Sequence, residues 1–404
     1  LRPLESRRLW FIGIGGAGMS ALALVAHEWG AEVGGSDRAR SSYVERLEAA
    51  GIPVAIGHDP ANVPDDAEVI VSSAIAADNP EVSRARVKKK RAELLAELVE
   101  LRPSIVVAGA HGKTTTTAMI AFVLDRLGLD PAFLIGGEIP QLRGNARAGG
   151  GWLVAEGDES DRSLELLRPR IAVLTNVELD HHATFASETE VRELFDEWLR
   201  RAAETVRGDV LEPVSFELAV PGEHNRRNAA TALAALDLAG VPRADSERLL
   251  PEFAGAGRRF ELRGERGGVR VYDDYGHHPR EVAVTLAAAR ASAGDGRVLV
   301  VFQPHLYSRT RHLAHELARA LAAADAVAVT SIYAAREEPL AGVEGSLVVE
   351  ALASERPGMA VAWMPALEDA VRFLVRRARP GDLVLTIGAG DVERAGPLLL
   401  EELA

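Results

Sequence analysis

Two glycine turns, each set between a buried strand and a helix, constrain this chain more than any other feature. The first, Gly13-Ile-Gly15-Gly16-Ala-Gly18, follows a short apolar run at residues 8–14 and opens an Ala/Leu-rich segment at 19–29. The second, Gly109-Ala110-His111-Gly112-Lys113-Thr114-Thr115, follows an apolar run at 104–108 and opens a helical segment at 114–127. In each, strand-like sequence gives way to helix across a tight turn, which is the signature of a parallel α/β sheet.

The two turns make different chemical demands. Glycines in the first let the backbone approach a pyrophosphate, and the helix start supplies N–H donors and positive partial charge. Ser36-Asp37 closes the next strand, where the ribose or base end of a nucleotide would lie. Alone, this turn fits NAD or FAD as well as a nucleotide-sugar diphosphate. The second turn has the physics of a P-loop: backbone amides cradle phosphate, Lys113 neutralises charge and Thr114 is placed for Mg²⁺. Its spacing departs from the Walker form, because Gly109 lies only three residues before Gly112. A dehydrogenase needs only the first turn and an NTPase only the second. A ligase that activates a nucleotide-linked acid with ATP needs both.

Composition sets the frame. A chain of 404 residues calls for two to four domains at roughly 100–200 residues each. The net charge of −13 argues against a broad nucleic-acid-binding face. No cysteine is present, which excludes disulfides and thiolate chemistry and fits a cytoplasmic protein. No apolar run approaches the ~18–20 residues of a membrane span. The charged stretch 84–91 reads as a solvated face. Alternating strands and helices count out three α/β units: 1–102, 103–256 and 257–404. Pro103 marks the first boundary, and Gly255 to Gly257 the second.

Further motifs follow in order. Glu156-Gly-Asp158-Glu159-Ser160-Asp161 ends a strand beside the second turn, where a Mg²⁺ ligand belongs. Thr175-Asn176-Val-Glu178-Leu-Asp180-His181-His182 ends another. Then come Gly222-Glu-His224-Asn225-Arg-Arg-Asn228, Asp273-Asp274-Tyr275-Gly276-His277-His278-Pro279, and Phe302-Gln303-Pro304-His305-Leu-Tyr307-Ser-Arg309-Thr310. Phe302 and Tyr307 read as core. Arg258-Arg259 fit a phosphate contact and a hinge cap equally well.

In this order the segments resemble the Mur ligase family, over nearly the whole chain, and the last two look most like its L-alanine-adding branch. The resemblance implies three domains: a Rossmann-like N-terminal domain for UDP-N-acetylmuramate, a P-loop-type central domain for ATP and Mg²⁺, and a Rossmann-like C-terminal domain that closes with the amino acid. It implies that Gly15, Gly16, Ala17, Gly18, Met19, Ser36, Asp37 and Ser73 serve the UDP-sugar. Gly109 to Thr115 would hold the ATP phosphates; Thr114 and Glu156 would ligate one Mg²⁺ and His181 a second. His224, Asn225 and Asn228 would line the adenine side, and Asp273 or Asp274 the ribose. Tyr275, His277, His305 and Arg309 would face L-alanine and the reacting carboxylate, with His277 a candidate proton acceptor. Lys113, Glu156, His181, His277 and Arg309 would then be catalytic. A soluble monomer or homodimer with no nucleic-acid or membrane partner is expected. A recycling ligase that adds a preformed peptide, and a nicotinamide-dependent oxidoreductase, are the alternatives.

Four departures stand out. Ala110 replaces the family's usual Thr, and Leu306 stands where some relatives carry Arg. Residues 79–91 lack the usual Gly-containing strand. The span 182–222 is shorter than the family's, through native trimming or through segments missing near Asp209 to Leu211.

Overall fold

The computed structural model describes residues 3–403 apart from 73, 74, 77, 180–183 and 336. It contains three parallel-rich sheets, carried on two compact units that part between Ala256 and Gly257.

The first sheet holds β1 (Arg8–Ile12), β2 (Glu32–Asp37), β3 (Val54–Ile56), β4 (Glu68–Val71) and β5 (Val87–Lys90) in the order β3-β2-β1-β4-β5. Every pairing is parallel. Helices α1 (Ala17–Glu28), α2 (Ser42–Ala49), α3 (Pro80–Arg84) and α4 (Arg91–Glu100) connect the strands. Strand order reverses beside β1, so the crevice for a ligand opens at its carboxyl end, where the first glycine turn lies.

The stretch 84–91 does more than face solvent. It forms the edge strand β5, whose lysines suit an unpaired edge. Lys89 bonds to Glu68 at 2.9 Å and Glu97 at 2.6 Å, and Arg7 joins the same two carboxylates. This network fastens the edge to α4.

The second sheet contains β6 (Ser104–Ala108), β7 (Ala132–Ile139), β8 (Gly144–Arg147), β9 (Leu153–Glu156), β10 (Ile171–Leu174) and β11 (Glu204–Arg207). Their order is β11-β10-β6-β9-β7-β8, and only β7–β8 pair antiparallel. Helices α5 (Lys113–Arg126), α6 (Glu188–Leu199), α7 (Glu223–Leu238) and α8 (Arg243–Leu249) cover it. Helix α5 is buried without interruption from Thr115 to Leu124, which explains why its sequence shows no polar face. Between β11 and α7 the chain makes one short 3-10 turn and otherwise runs as loop, with no further strand. The first two sheets share one apolar core, in which Ala21, Val25 and Leu22 of α1 join Ala132, Leu134 and Ala146 of β7–β8.

The C-terminal unit holds β12 (Glu261–Arg266), β13 (Val269–Asp274), β14 (Val298–Phe302), β15 (Ala326–Val329), β16 (Ala360–Trp363) and β17 (Leu383–Ile387). They run β12-β13-β17-β14-β15-β16, with only β12–β13 antiparallel. Helices α9 (Pro279–Ala293), α10 (Tyr307–Leu321), α11 (Ser346–Glu355), α12 (Leu367–Val375) and α13 (Ala395–Glu402) flank it. Separate apolar cores on its two faces, one around Phe302 and one around Val301, show that it is covered on both sides.

Candidate active site

The second glycine turn lies at the carboxyl end of β6, between β10 and β9. Gly109 has φ +131°, and a Cβ there would overlap Thr175 Oγ1 and the Asn176 backbone. Gly112 has φ +79°, and a Cβ would overlap the Asn228 side-chain amide. Only glycine combines these angles with this clearance. The end of β10 clamps the turn. Thr175 Oγ1 donates to the His111 carbonyl at 2.6 Å, Asn176 Nδ2 donates to it at 2.8 Å, and His111 N donates to Asn176 Oδ1 at 3.0 Å. His111 Nε2 lies 3.2 Å from Glu178 Oε2. Ala110 contributes backbone only to this clamp, so the missing hydroxyl leaves it intact.

Lys113 opens α5 and turns back over the loop. Its Nζ donates to the Gly109 and Ala110 carbonyls and to both oxygens of Glu159, at 3.0 and 3.2 Å. Burial alone would push the amine down. The carboxylates of Glu159, Asp158 and Glu156 outweigh it and hold Lys113 above its usual value, fully cationic. Glu159 is only 3% exposed, and sequence reasoning gave it no role. Among the many acids of that turn, its burial is what singles it out.

Thr114 Oγ1 lies 3.2 Å from Glu156 Oε2, and Glu156 Oε1 accepts from Gly136 N at 2.6 Å. A hydroxyl and a carboxylate oxygen converging beside a phosphate-binding turn match the hard oxygen donors that Mg²⁺ takes. His181 lies outside the described residues, as do Ser73 and His182. Asn228 sits against Gly112 and bonds to Asn225 at 3.3 Å, so α7 brings Asn228 to the loop with Asn225 as its neighbour. His224 is on the exposed first turn of the same helix.

At the first glycine turn, Gly15 N donates to Asp37 Oδ2 at 2.8 Å. Gly16 caps α1 with no side-chain bond and no acid in its first turn. Gly18 borders Arg91, whose guanidinium would stand 3.3 Å from a Cβ there. Arg91 also reaches Asp158 at 3.4 Å. Ser36 is fully buried and donates to Glu81, and Met19 places its side chain in the core. Neither side chain is presented at the surface of the turn.

The C-terminal unit gathers its own cluster at the carboxyl ends of β13 and β14. The rings of Tyr275 and His277 lie 5.7 Å apart, and those of His277 and His305 5.3 Å apart. His305 stacks on Tyr333 at 5.9 Å. Arg309, 5% exposed, lies 2.9 Å from His305 Nδ1. Tyr333 was not anticipated, because it comes from the loop after β15, outside the two motifs. Leu306 takes φ +68° as the N-cap of α10. Asp273 and Asp274 are internal. Asp273 is bonded to Arg258 and Thr386, and Asp274 accepts from Phe260 N and Gly276 N at 2.8 Å. Burial pushes the Asp274 carboxyl up, against the pull of Arg259. Arg258 is committed as well: it pairs with Asp273 at 2.8 Å and donates to the Gly388 and Gly390 carbonyls. It therefore acts as a structural cap within this unit.

A nucleotide-type sheet, a P-loop sheet with an acidic strand end and a third α/β layer define the architecture of the Mur ligases, and the chain belongs to that family. The family's catalytic-domain model matches residues 8–102, its middle-domain model 107–206 and its glutamate ligase domain model 258–390. The chain is 42% identical to the UDP-N-acetylmuramate–L-alanine ligase of Streptomyces avermitilis, covering 100% of this chain and 98% of the relative. The enzyme of the same name from Rubrobacter xylanophilus is 42% identical over 98% of this chain and 100% of its own. The Streptomyces alignment spans 460 positions, more than the 404 residues here, so that relative carries segments this chain lacks. Among solved structures, the UDP-N-acetylmuramate–alanine ligase of Thermotoga maritima superposes with a TM-score of 0.82 at 29% identity, covering 98% of each chain. A murein peptide ligase from Psychrobacter arcticus gives 0.71 at 25%, covering 98% of this chain and 99% of its own.

Proposed function

We propose that this chain is an ATP-dependent ligase that joins L-alanine to the lactyl carboxylate of UDP-N-acetylmuramate, in the cytoplasmic synthesis of peptidoglycan precursor. The observation that carries the reading is the second turn: a half-buried lysine, a threonine and a glutamate converge on a P-loop-type cradle. It is supported by full-length likeness to relatives that bear this activity in their names. An oxidoreductase would leave Lys113, Thr114 and Glu156 without work.

Residues 1–102 take the UDP-sugar, with the diphosphate at Gly15 to Met19 and the ribose near Asp37. Residues 103–256 take ATP, with phosphates on Gly109 to Thr115 and the adenine side near His224, Asn225 and Asn228. Residues 257–404 supply Tyr275, His277, His305 and Arg309 for the amino acid and the carboxylate. Thr114 and Glu156 would hold one Mg²⁺, and His181 would ligate a second. Bound there, the metal would neutralise phosphate charge and stabilise the transferring group.

The carboxylate of the sugar acid attacks the γ-phosphorus of ATP, and ADP leaves. Two anions must meet, so Lys113 and the first-turn amides of α5 offset their repulsion. The acyl phosphate is then attacked by the neutral amine of alanine. The new C–N bond forms, phosphate leaves with the C–O bond electrons, and the amine proton passes to a base, for which His277 is the candidate, its Nδ1 donating to the Tyr275 carbonyl so that Nε2 is the basic nitrogen.

Phosphate release from ATP, measured with and without UDP-N-acetylmuramate and L-alanine, tests this reading. Release that needs both partners and disappears in Lys113→Ala is the expected result. Release with a preformed peptide but not with alanine would favour the recycling activity instead.

A further inference from the structure

The hairpin β7–β8 touches both phosphate-binding turns at once. On β7, Gly136 N donates to Glu156, which meets Thr114 at the ATP turn. Two residues on, Glu138 Oε1 accepts from Arg46 of α2 at 2.6 Å. On β8, Asn145 is 2% exposed. Its Nδ2 donates to the carbonyl of Ala17, the first residue of α1, at 3.2 Å, and its Oδ1 accepts from Arg46 at 3.2 Å. The apolar face of α1 packs on the same two strands. One hairpin therefore fixes the first glycine turn against the carboxylate that serves the second.

The reaction gives that link a purpose. A carboxylate carried on one nucleotide must reach the γ-phosphorus of another in line, and a misplacement of about 1 Å can cost a hundredfold in rate. Asn145 is bonded to two helices that flank the first sheet, α1 and α2, while its own strand belongs to the second sheet.

We propose that Asn145 is a positioning residue that sets the distance between the UDP-sugar turn and the ATP turn through its bond to Ala17. This rests on the function proposed above. Asn145→Ala is a clean probe, because no partner is orphaned: the Ala17 carbonyl keeps Ser20 Oγ at 3.0 Å, and Arg46 keeps Glu138. Arg46→Met, at a half-exposed site, is the milder companion.

The experiment compares wild type and both variants well below their melting temperatures. Calorimetry gives the affinity for ATP and for UDP-N-acetylmuramate singly, and phosphate release with L-alanine gives kcat. In Asn145→Ala each affinity stays within about twofold while kcat falls roughly ten- to a hundredfold; Arg46→Met shifts kcat the same way by less. An unchanged kcat overturns the proposal, as does a loss confined to one substrate's affinity. A second readout is independent of turnover. Hydrogen exchange at residues 13–20 slows when ATP binds wild type, and this protection is lost in Asn145→Ala. A wild type that binds ATP but turns over nothing would sink the proposed function, yet retention of that protection in the variant would still overturn the role of Asn145.

Discussion

The ammonium of Lys113 lies 3.0 Å from one oxygen of Glu159 and 3.2 Å from the other, and the glutamate of the pair is buried. Glu159 keeps the lysine charged and folded over its loop. Lys113→Met is expected to cut ATP-dependent phosphate release by on the order of 10²–10³-fold. Glu159→Gln keeps the shape but removes the charge, so the KM for ATP should rise about tenfold, the equivalent of one hydrogen bond to a charged group. Steady-state kinetics at saturating sugar and alanine check both. An unaltered KM in Glu159→Gln would show that the lysine needs no internal counterion.

Glu156 stands between Thr114 and Gly136, with one carboxylate oxygen toward each. If it holds Mg²⁺, Glu156→Gln should raise the metal concentration for half-maximal activity by at least ten- to a hundredfold, the range that even outer partners of a metal produce. Titrating Mg²⁺ into the phosphate-release assay at fixed ATP measures this. A variant with normal metal dependence and a lowered kcat would place the metal elsewhere.

Arg258 pairs with Asp273, which is fully buried, and spans the carbonyls of Gly388 and Gly390. Arg258→Ala leaves that carboxylate without its cation. The expected loss is about 3–5 kcal/mol of stability in the C-terminal unit, read as an early transition in urea. Had this arginine been a phosphate ligand, the variant would instead keep its midpoint and lose ATP affinity.

What the sequence revealed, and what it hid, follows from which constraints are local. Gly109 and Gly112 are legible because their backbone angles and clearance admit no other residue, whereas the clamp that Thr175 and Asn176 put on the same loop emerges only in the fold. The hairpin β7–β8 carries no comparable local signal. Gly136-Gly137 breaks its alternation, and Asn145 is buried only because α1 of a different sheet covers it. The strand β5 was hidden by its lysines, which belong to an edge. Arg258 left two roles open, since its partners Gly388 and Gly390 come from the far end of the chain. Glu159 was one acid among several, and burial, which chose it, is a property of the fold.

Asp382 offers a test by pH. Its oxygens accept from Arg297 N at 3.1 Å, Arg297 Nη2 at 2.6 Å and Arg379 N at 2.8 Å. Burial would raise this carboxyl, but the Arg297 guanidinium and the two backbone amides outweigh it and hold it below the usual range. The folded state thus binds fewer protons here than the unfolded chain. The stabilisation is present above the ordinary carboxylate value of about 4 and is lost as pH falls through the lower, folded value. Asp382→Asn should cost about 1–2 kcal/mol at pH 7, kept modest by solvent around the partly exposed Arg297. Urea midpoints of the C-terminal transition, taken at neutral pH and in acid, decide the matter. The gap between variant and wild type should narrow in acid as the wild-type carboxylate takes up its proton. A gap of equal size at both would mean that the bonds to Asp382 stabilise by shape, with its charge contributing nothing.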